Sequence, residues 1–555
     1  MSSTPLLGAK GSDAPKRVVV VGAGIGGITA GIYMKRDLKF HNFTVYETVD
    51  EIGGTWHFNT YPGAASDIAT HWYSLSSDVD PDSWDRTHLT QPRLLAYWKW
   101  LTDKYGVDKH LKLSTKVTKV QWDEKKQIYH VHTRNTKTGE TQVDYANAVI
   151  SAIGLLNEPH HVKALDGIRT AFKGAHFHSA RWDHSVDLHN KRVAVIGSGG
   201  SACQFIPFLG QDPTTKLVQF IRTPGWFWPD LRLKIGPKAQ WAIHNIPFLK
   251  QLARYTVFFQ HETLYVIFFL MGKTDFVRNM LIKHIKDNAP AEYADKLVPK
   301  HPSGCKRFII DAGYLKSLHQ DNCAVNFDGI AEVTATGIRT KTGENLDFDV
   351  IIEATGFQPD HFPLEVVGLG GKTMQDYFIE QKGPVGYLGT AAAGFPNFYT
   401  ITGPNTTTGH GSVIFTIESQ MTYINQMLEP VIKGQASSFV VTDKASKSYN
   451  EKLQKSLKAS LWEGCASWYR TGHDGKISSI WPGFITGQWW RLRRPVWRDY
   501  AVTGGDAWVR RRRLSKAFSF ITYTAAIVLV VWVGLNWDLV KGVFADLAKK
   551  VGLAL

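Results

Sequence analysis

Two glycine turns, each set directly after a β-branched strand, constrain this chain more than any other feature. Val18 to Val21 lead into GAGIGG, an apolar helix-like stretch from Ile28 to Met34 follows, and FTVYE then ends at Glu47. Strand, glycine turn, helix and a second strand closed by an acid make up the dinucleotide-binding βαβ unit. Gly22 permits the tight turn, Gly24 lets the backbone approach a pyrophosphate, and Gly27 lets helix and strand pack closely. The phosphates are expected at the positive N-terminus of that helix. Glu47 would hold ribose hydroxyls and repel a 2′-phosphate, so the site suits FAD or NAD rather than NADP.

The pattern recurs. A strand from Arg192 to Ile196 runs into GSGGSA, an apolar stretch reaches Leu209, and a further strand spans Leu217 to Ile221. Gly197, Gly199 and Ser201 open this unit as GxGxSA, and Arg222 and Thr223 stand where the first unit has its acid. A guanidinium matches phosphate geometry, which makes NADPH, with its 2′-phosphate, the natural ligand here. The expected class is therefore α/β, with two Rossmann-like dinucleotide-binding domains and two cofactors.

The chain divides on this basis into a flexible leader (1–16), the first part of the FAD domain (17–158) and an NADP domain (159–385). The NADP domain carries an aromatic-rich helical insertion at about 235–300. The FAD domain returns over 386–509, where GPNTTTGHGS opens onto a helix. A basic flank with an apolar helix (510–537) and a short amphipathic tail (538–555) complete it. The four cysteines, Cys203, Cys305, Cys323 and Cys465, make no CxxC pair. That spacing speaks against a disulfide framework, a zinc site and a dithiol reductase, and four reduced thiols are expected. No metal site is expected.

The net charge of +15 is concentrated. From Arg491 to Lys516 nine Arg or Lys face only Asp499 and Asp506. No nucleic-acid module accompanies them. They precede Ala517 to Trp537, 21 residues without a charge, and a membrane-spanning helix needs roughly 20. Arg498, Arg510, Arg511, Arg512, Arg513 and Lys516 flank this stretch on one side, and Lys541, Lys549 and Lys550 on the other. The positive-inside rule then predicts a single-pass membrane protein with its large domain in the cytosol, the endoplasmic reticulum being one candidate membrane. A basic cluster there also attracts anionic lipid. Leu539, Val540, Val543, Phe544 and Leu547 recur at helical spacing, as in a surface-lying helix. The competing expectation for 517–537 is a buried core helix.

A more specific string stands between the glycine turns. FKGAHFHSARWD places Phe172, Gly174, His178, Trp182 and Asp183 at the spacing FxGxxxHxxxW(P/D), which resembles the fingerprint of Baeyer–Villiger monooxygenases. GGTWHFNTYPGAASD (53–67), Tyr73–Ser74, Gln91–Pro92, Cys305–Lys306–Arg307, Ala354–Phe357, Gly403–Asn405 and Ser467–Tyr469 are similar to further family segments. The resemblance covers about residues 15–500 and omits the apolar C-terminus. Ile153, Ser66 and Gln358 depart from the common pattern, and TGHDGKISSIWPG follows SWY as in the branch acting on long-chain and aryl ketones and steroids.

The resemblance implies an FAD- and NADPH-dependent monooxygenase that inserts one oxygen of O2 beside a ketone carbonyl. It implies FAD contacts at Gly22, Gly24, Gly26, Gly27, Glu47, Thr55, Trp56, His57, Phe58, Asp67, Tyr73, Val117 and Val413. It implies NADP contacts at Ala65, Ser66, Gly197, Ser198, Gly199, Gly200, Ser201, Ala202, Arg222, Thr223, Lys306, Arg307 and Trp468. Arg307, protonated at any working pH, is the implied cation that stabilises an anionic oxygen species beside the flavin, by oxyanion-hole logic. Asp67 would hold and tune it, and Lys306 would reach the NADP phosphate. His178 reads as a hinge residue rather than a proton carrier, and Trp468 as an NADP contact or core filler. Rival readings are an N- or S-oxygenating flavin monooxygenase, a pyridine-nucleotide disulfide reductase and a non-catalytic membrane flavoprotein scaffold. The expected substrate is an apolar ketone, polyketide-, terpenoid- or steroid-like, reaching the site from lipid.

Overall fold

The computed structural model describes residues 15–79, 84–230, 232–267, 274–358, 362–473 and 475–551. Residues 1–14 of the expected leader lie outside them.

The first glycine turn joins β1 (Val18–Val21) to α1 (Ile25–Asp37), and β2 (Phe43–Tyr46) follows. β1 and β2 are buried along their whole length, as continuous β-branched and aromatic runs should be in a parallel sheet covered on both faces. A second helix, α2 (Gln91–Lys104), precedes β3 (Leu111–Lys112), and β4 (Ala148–Ser151) pairs with β1.

The second sheet comprises β5 (Ala175–His178), β6 (Arg192–Ile196), β7 (Lys216–Phe220), β8 (Cys323–Asn326) and β9 (Val350–Glu353), all parallel, in the order β8-β7-β6-β9-β5. Helix α3 (Gly200–Leu209) follows β6 through the second glycine turn. The chain then returns to the first sheet with β10 (Phe398–Thr400), giving the parallel order β10-β4-β1-β2-β3.

Between β7 and β8 lies the helical insertion, with α4 (Pro237–Asn245), α5 (Pro247–Tyr265) and α6 (Thr274–Asn288). The long α7 (Val413–Ile432) packs on α1, and α8 (Ile485–Leu492) packs on α7. Arg254 of α5 is buried with Glu418 of α7, Nη2 to Oε2 at 2.8 Å. Glu418 Oε1 also accepts from the Tyr33 hydroxyl of α1 and from Ser76 N and Oγ. This network fastens the insertion to the first unit.

The C-terminus differs from expectation. The uncharged stretch is the end of α9 (Asp506–Leu535), and α10 (Trp537–Val551) follows. Asn536 terminates α9, its backbone N–H and its side-chain Nδ2 both donating to the Trp532 carbonyl, and the segments 521–535 and 537–547 meet at 88°. Among the described residues no single helix is long and apolar enough to cross a membrane, although this bent pair passes the same test of length and composition. The stretch is not a buried core helix either. Ile521, Tyr523, Val528 and Val530 are all more than half exposed.

Steric constraint at the first turn is specific to position. Gly22 has φ +101°, and a Cβ on Gly27 would lie 1.8 Å from the Gly22 carbonyl oxygen. A Cβ on Gly200 meets nothing within 4 Å. Gly27→Ala should therefore lose about 1–3 kcal/mol of stability or more, as overpacking against backbone does. Gly200→Ala, in a helix, should lose none. Chemical denaturation of the two variants checks the contrast.

Candidate active site

Both glycine turns open on one cavity of about 1400 Å³. Gly22, Gly24 and Gly26 line it on one side, and Gly197, Ser198, Gly199, Gly200 and Ser201 on the other. The N-caps of α1 and α3, Gly24 and Gly199, make no side-chain capping bond, so the first N–H groups of both helices are left for an anion. Glu47 ends the run after β2, where its Oε2 accepts from Ala23 N at 2.7 Å, which fixes the carboxylate beside the first turn. The open space over Gly199 and Gly200 and the uncapped helix ends fit two dinucleotides.

Arg222 and Thr223 line the cavity beyond β7, with Lys306 facing them. Burial lowers the Lys306 ammonium, and repulsion from Arg222 lowers it further. Two cations held near one another in this way are the electrostatic complement of a phosphate dianion.

Arg307 and Asp67 form a bidentate pair on the cavity wall, with Nη2 to Oδ1 at 2.8 Å and Nε to Oδ2 at 2.7 Å. Their side chains keep 33% and 38% of their surface open, so the pair faces the cavity rather than the core. Burial opposes the charge on Arg307, yet Asp67 and the nearby Tyr469 and Tyr73 hold its guanidinium above the usual value, so it stays charged. Tyr73 accepts from Trp56 Nε1 at 3.2 Å and is pushed up to about 12, chiefly by burial, and therefore remains a neutral phenol.

Of the other residues expected here, Thr55, Trp56, Phe58, Ala65, Ser66, Val117, Val413 and Trp468 line the cavity. Trp468 also lies against Tyr469, with ring centroids 4.6 Å apart. Gly27, His57 and Ala202 do not line it. Gly27 sits under the turn, the ring of His57 packs edge-on to Phe58, and Ala202 is fully buried in the core beneath α3.

The fingerprint residues organise the wall rather than forming most of it. Phe172 crowds Gly174, where a Cβ would lie 2.5 Å from both the Phe172 ring and the Asp349 carbonyl oxygen. Trp182 packs on Phe177 and Phe205. Asp183 closes a turn by accepting from Ser185 N and Oγ. His178 lines the cavity at the end of β5, with Nδ1 accepting from Ala180 N at 3.1 Å. Burial first, then His161 and Arg181, lowers His178 to about 4, so it is neutral near pH 7 and serves as a cap.

Three features escaped the sequence reading. Gln204 of α3 exchanges hydrogen bonds with the backbone of Ala65 and so latches the second turn's helix to the Asp67 loop. His410, in the loop before α7, stacks on Tyr265 at 4.9 Å and is held down to about 3 by burial, then by His261 and Arg307. The third overturns an expectation: Cys305 and Cys465 are joined in a disulfide across 160 residues. The bond ties the Lys306–Arg307 loop to the segment carrying Trp468, and no local spacing announces it. Cys203 and Cys323 are free and buried.

A flavin-binding monooxygenase-like family model matches residues 15–228. A Baeyer–Villiger monooxygenase of Pseudomonas aeruginosa is 35% identical over 485 residues, which is 86% of this chain and 89% of that protein. The FAD-binding monooxygenase ktnD of Aspergillus niger is 32% identical over 517 residues, 89% of this chain and 83% of that one. Among solved structures, oxidized steroid monooxygenase bound to NADP superposes with a TM-score of 0.77 at 27% identity, covering 88% of this chain and 99% of that one. The closed form of cyclohexanone monooxygenase gives 0.78 at 25%, with 88% and 99% covered.

Thiol titration tests the disulfide. Denatured without reductant, the protein should react at two thiols, Cys203 and Cys323, and at four after reduction. Four before reduction would contradict the bond.

Proposed function

The chain belongs to the Baeyer–Villiger monooxygenases, and from that premise we propose that it converts an apolar ketone of secondary-metabolite type (polyketide, terpenoid or steroid-like) to an ester or lactone while associated with a membrane. The enzyme is an FAD-dependent monooxygenase that uses NADP. The observation that carries the proposal is the bidentate Arg307–Asp67 pair on a cavity shared by both glycine turns.

Gly22, Gly24 and Gly26 with the α1 N-terminus would hold the FAD pyrophosphate, and Glu47 the ribose. The second turn with Arg222 and Lys306 would hold NADP through its phosphates. Bound there, the flavin reduced by NADPH supplies the activation of O2. The protein's part is position and charge. Arg307 presents a permanent cation where negative charge develops on oxygen, and Asp67 fixes the direction of that cation. A permanent cation favours an anionic, nucleophilic oxygen donor, which suits attack on a carbonyl and disfavours oxygenation of nitrogen or sulfur. His178 and His410, both neutral near pH 7, add no competing charge.

The membrane part of the proposal is supported by composition and exposure. α9 begins with Arg510 to Arg513 and ends in uncharged, exposed residues, and α10 exposes Trp537, Leu539, Val543, Phe544 and Leu547. Such a bent pair suits insertion with the arginines at an anionic cytosolic face.

Two measurements test the reading. With NADPH, 18O2 and a panel of apolar ketones, amines and thioethers, one labelled oxygen should appear in an ester or lactone. Label found only in N- or S-oxides would overturn it. In Arg222→Ala the KM for NADPH should rise about 10–100-fold, the worth of a charge-assisted phosphate contact, while the KM for NADH should not change.

A further inference from the structure

Helix α5 buries charged groups beside Val257 and Phe258 and exposes a row of large apolar side chains. Its buried residues are Arg254, Glu262 and Tyr265, and two of these carry charge. Its outer face exposes Phe248 (66%), Leu252 (53%), Tyr255 (56%) and Phe259 (62%), spaced 4, 3 and 4 apart, so that they form one stripe. A helix at a water-facing surface shows the opposite arrangement. The inner polar groups are bonded within the fold, apart from Glu262 Oε2, which is buried without a partner. Arg254 donates to the carbonyls of His71 and Ser74 as well as to Glu418, and Glu262 Oε1 accepts from Thr486 N and Oγ1. The stripe is therefore not a consequence of a misplaced register. Turning it inward would break the contacts of Arg254 and Glu262 and carry both groups out of the fold.

The surroundings of the stripe favour one kind of partner. From residue 231 to residue 261 there is no Asp or Glu, while Lys234, Lys238 and Lys250 stand outside the buried Arg254. α4, packed against α5, exposes Trp241. The Glu262–Thr486 bonds and the Tyr265–Phe484 ring contact at 4.8 Å join α5 to α8. At that neighbour Phe484, Trp489 and Trp490 are exposed, and Arg493 lies 4.3 Å over the Trp490 ring. Exposed aromatic rings interleaved with cations and free of acids are the composition of a membrane–water interface.

We propose that α5, with α4 and the exposed aromatic residues of α8, seats the enzyme in the interfacial layer of an anionic bilayer. This is a contact separate from the C-terminal helices. It deepens the membrane association proposed above and places lipid on the outer face of a helix whose inner residue His261 lies close enough to Arg307 to feel its charge. On that inner face His261 contacts Trp72 at 4.9 Å and Tyr265 contacts His410 at 4.9 Å. A ketone dissolved in the bilayer would then meet the enzyme beside its cavity without crossing water.

The test uses the full chain with single nitroxide labels at Leu252→Cys, Phe259→Cys, Ile527→Cys and, as a control in the exposed turn between the antiparallel strands Thr115–Asp123 and Ile128–Asn135, Lys125→Cys. The two free native thiols are buried and the other two are bonded, so the labels report their own sites. On adding phosphatidylcholine–phosphatidylserine vesicles, collision with O2 should rise and collision with a nickel chelate should fall at 252, 259 and 527, with no change at 125. A shift at 527 alone would overturn the α5 contact and leave the C-terminal one. No shift at either would overturn both. Protection at 252 and 259 that grows with protein concentration in the absence of vesicles would assign the stripe to a second copy of the chain and overturn the lipid assignment.

Discussion

The ion pair between Arg307 and Asp67 is the interaction on which the rest of the structure depends. A guanidinium held partly away from water is costly unless it is paired with good geometry, and the bidentate contact at 2.7 and 2.8 Å provides that pairing. The two residues come from different parts of the chain, 240 positions apart. Their meeting requires that the loop after the first glycine turn and the loop after the helical insertion be brought to one wall. The Gln204 latch to Ala65 holds the first loop, and the Cys305–Cys465 bond holds the second. The cavity, the two helix N-termini and the phosphate-facing cations are then arranged around a fixed charge rather than around a flexible one.

Much of this was legible in the sequence where sterics leave little choice. Gly22 and Gly27 have a positive φ and a 1.8 Å approach that no side chain tolerates, so a GxGxxG after a buried strand can be read with few alternatives. Asp67, Lys306 and Arg307 were readable only through the family motifs, because an isolated acid or base carries no local signature. The features that escaped were long-range. Cys305 and Cys465 are 160 residues apart, and only the fold makes them neighbours. The uncharged run 517–537 has the composition of one span, and up to Leu535 it forms the end of α9, with Asn536 capping that helix.

The basic character of the chain acquires a structural meaning from its distribution. Arg222 and Lys306 raise the positive potential inside the cavity, Arg307 supplies it at the reacting centre, and the arginines of α9 and the lysines of α4 and α5 lie at the exterior near exposed aromatic residues. The same sign of charge thus recurs in the cavity and at the exterior. Arg254 serves neither place: buried and paired with Glu418, it fixes the insertion to the rest of the fold.

The central claim is that the Arg307–Asp67 pair couples NADPH consumption to oxygenation of the ketone. The most direct measurement is the ratio of ester or lactone formed to NADPH consumed in Asp67→Asn and Arg307→Lys, with FAD content and NADP binding measured in the same samples. The account predicts that both variants keep their cofactors and still consume NADPH but lose most of the product, because the cation is no longer held in place. Product yield per NADPH equal to that of the unaltered enzyme would contradict it.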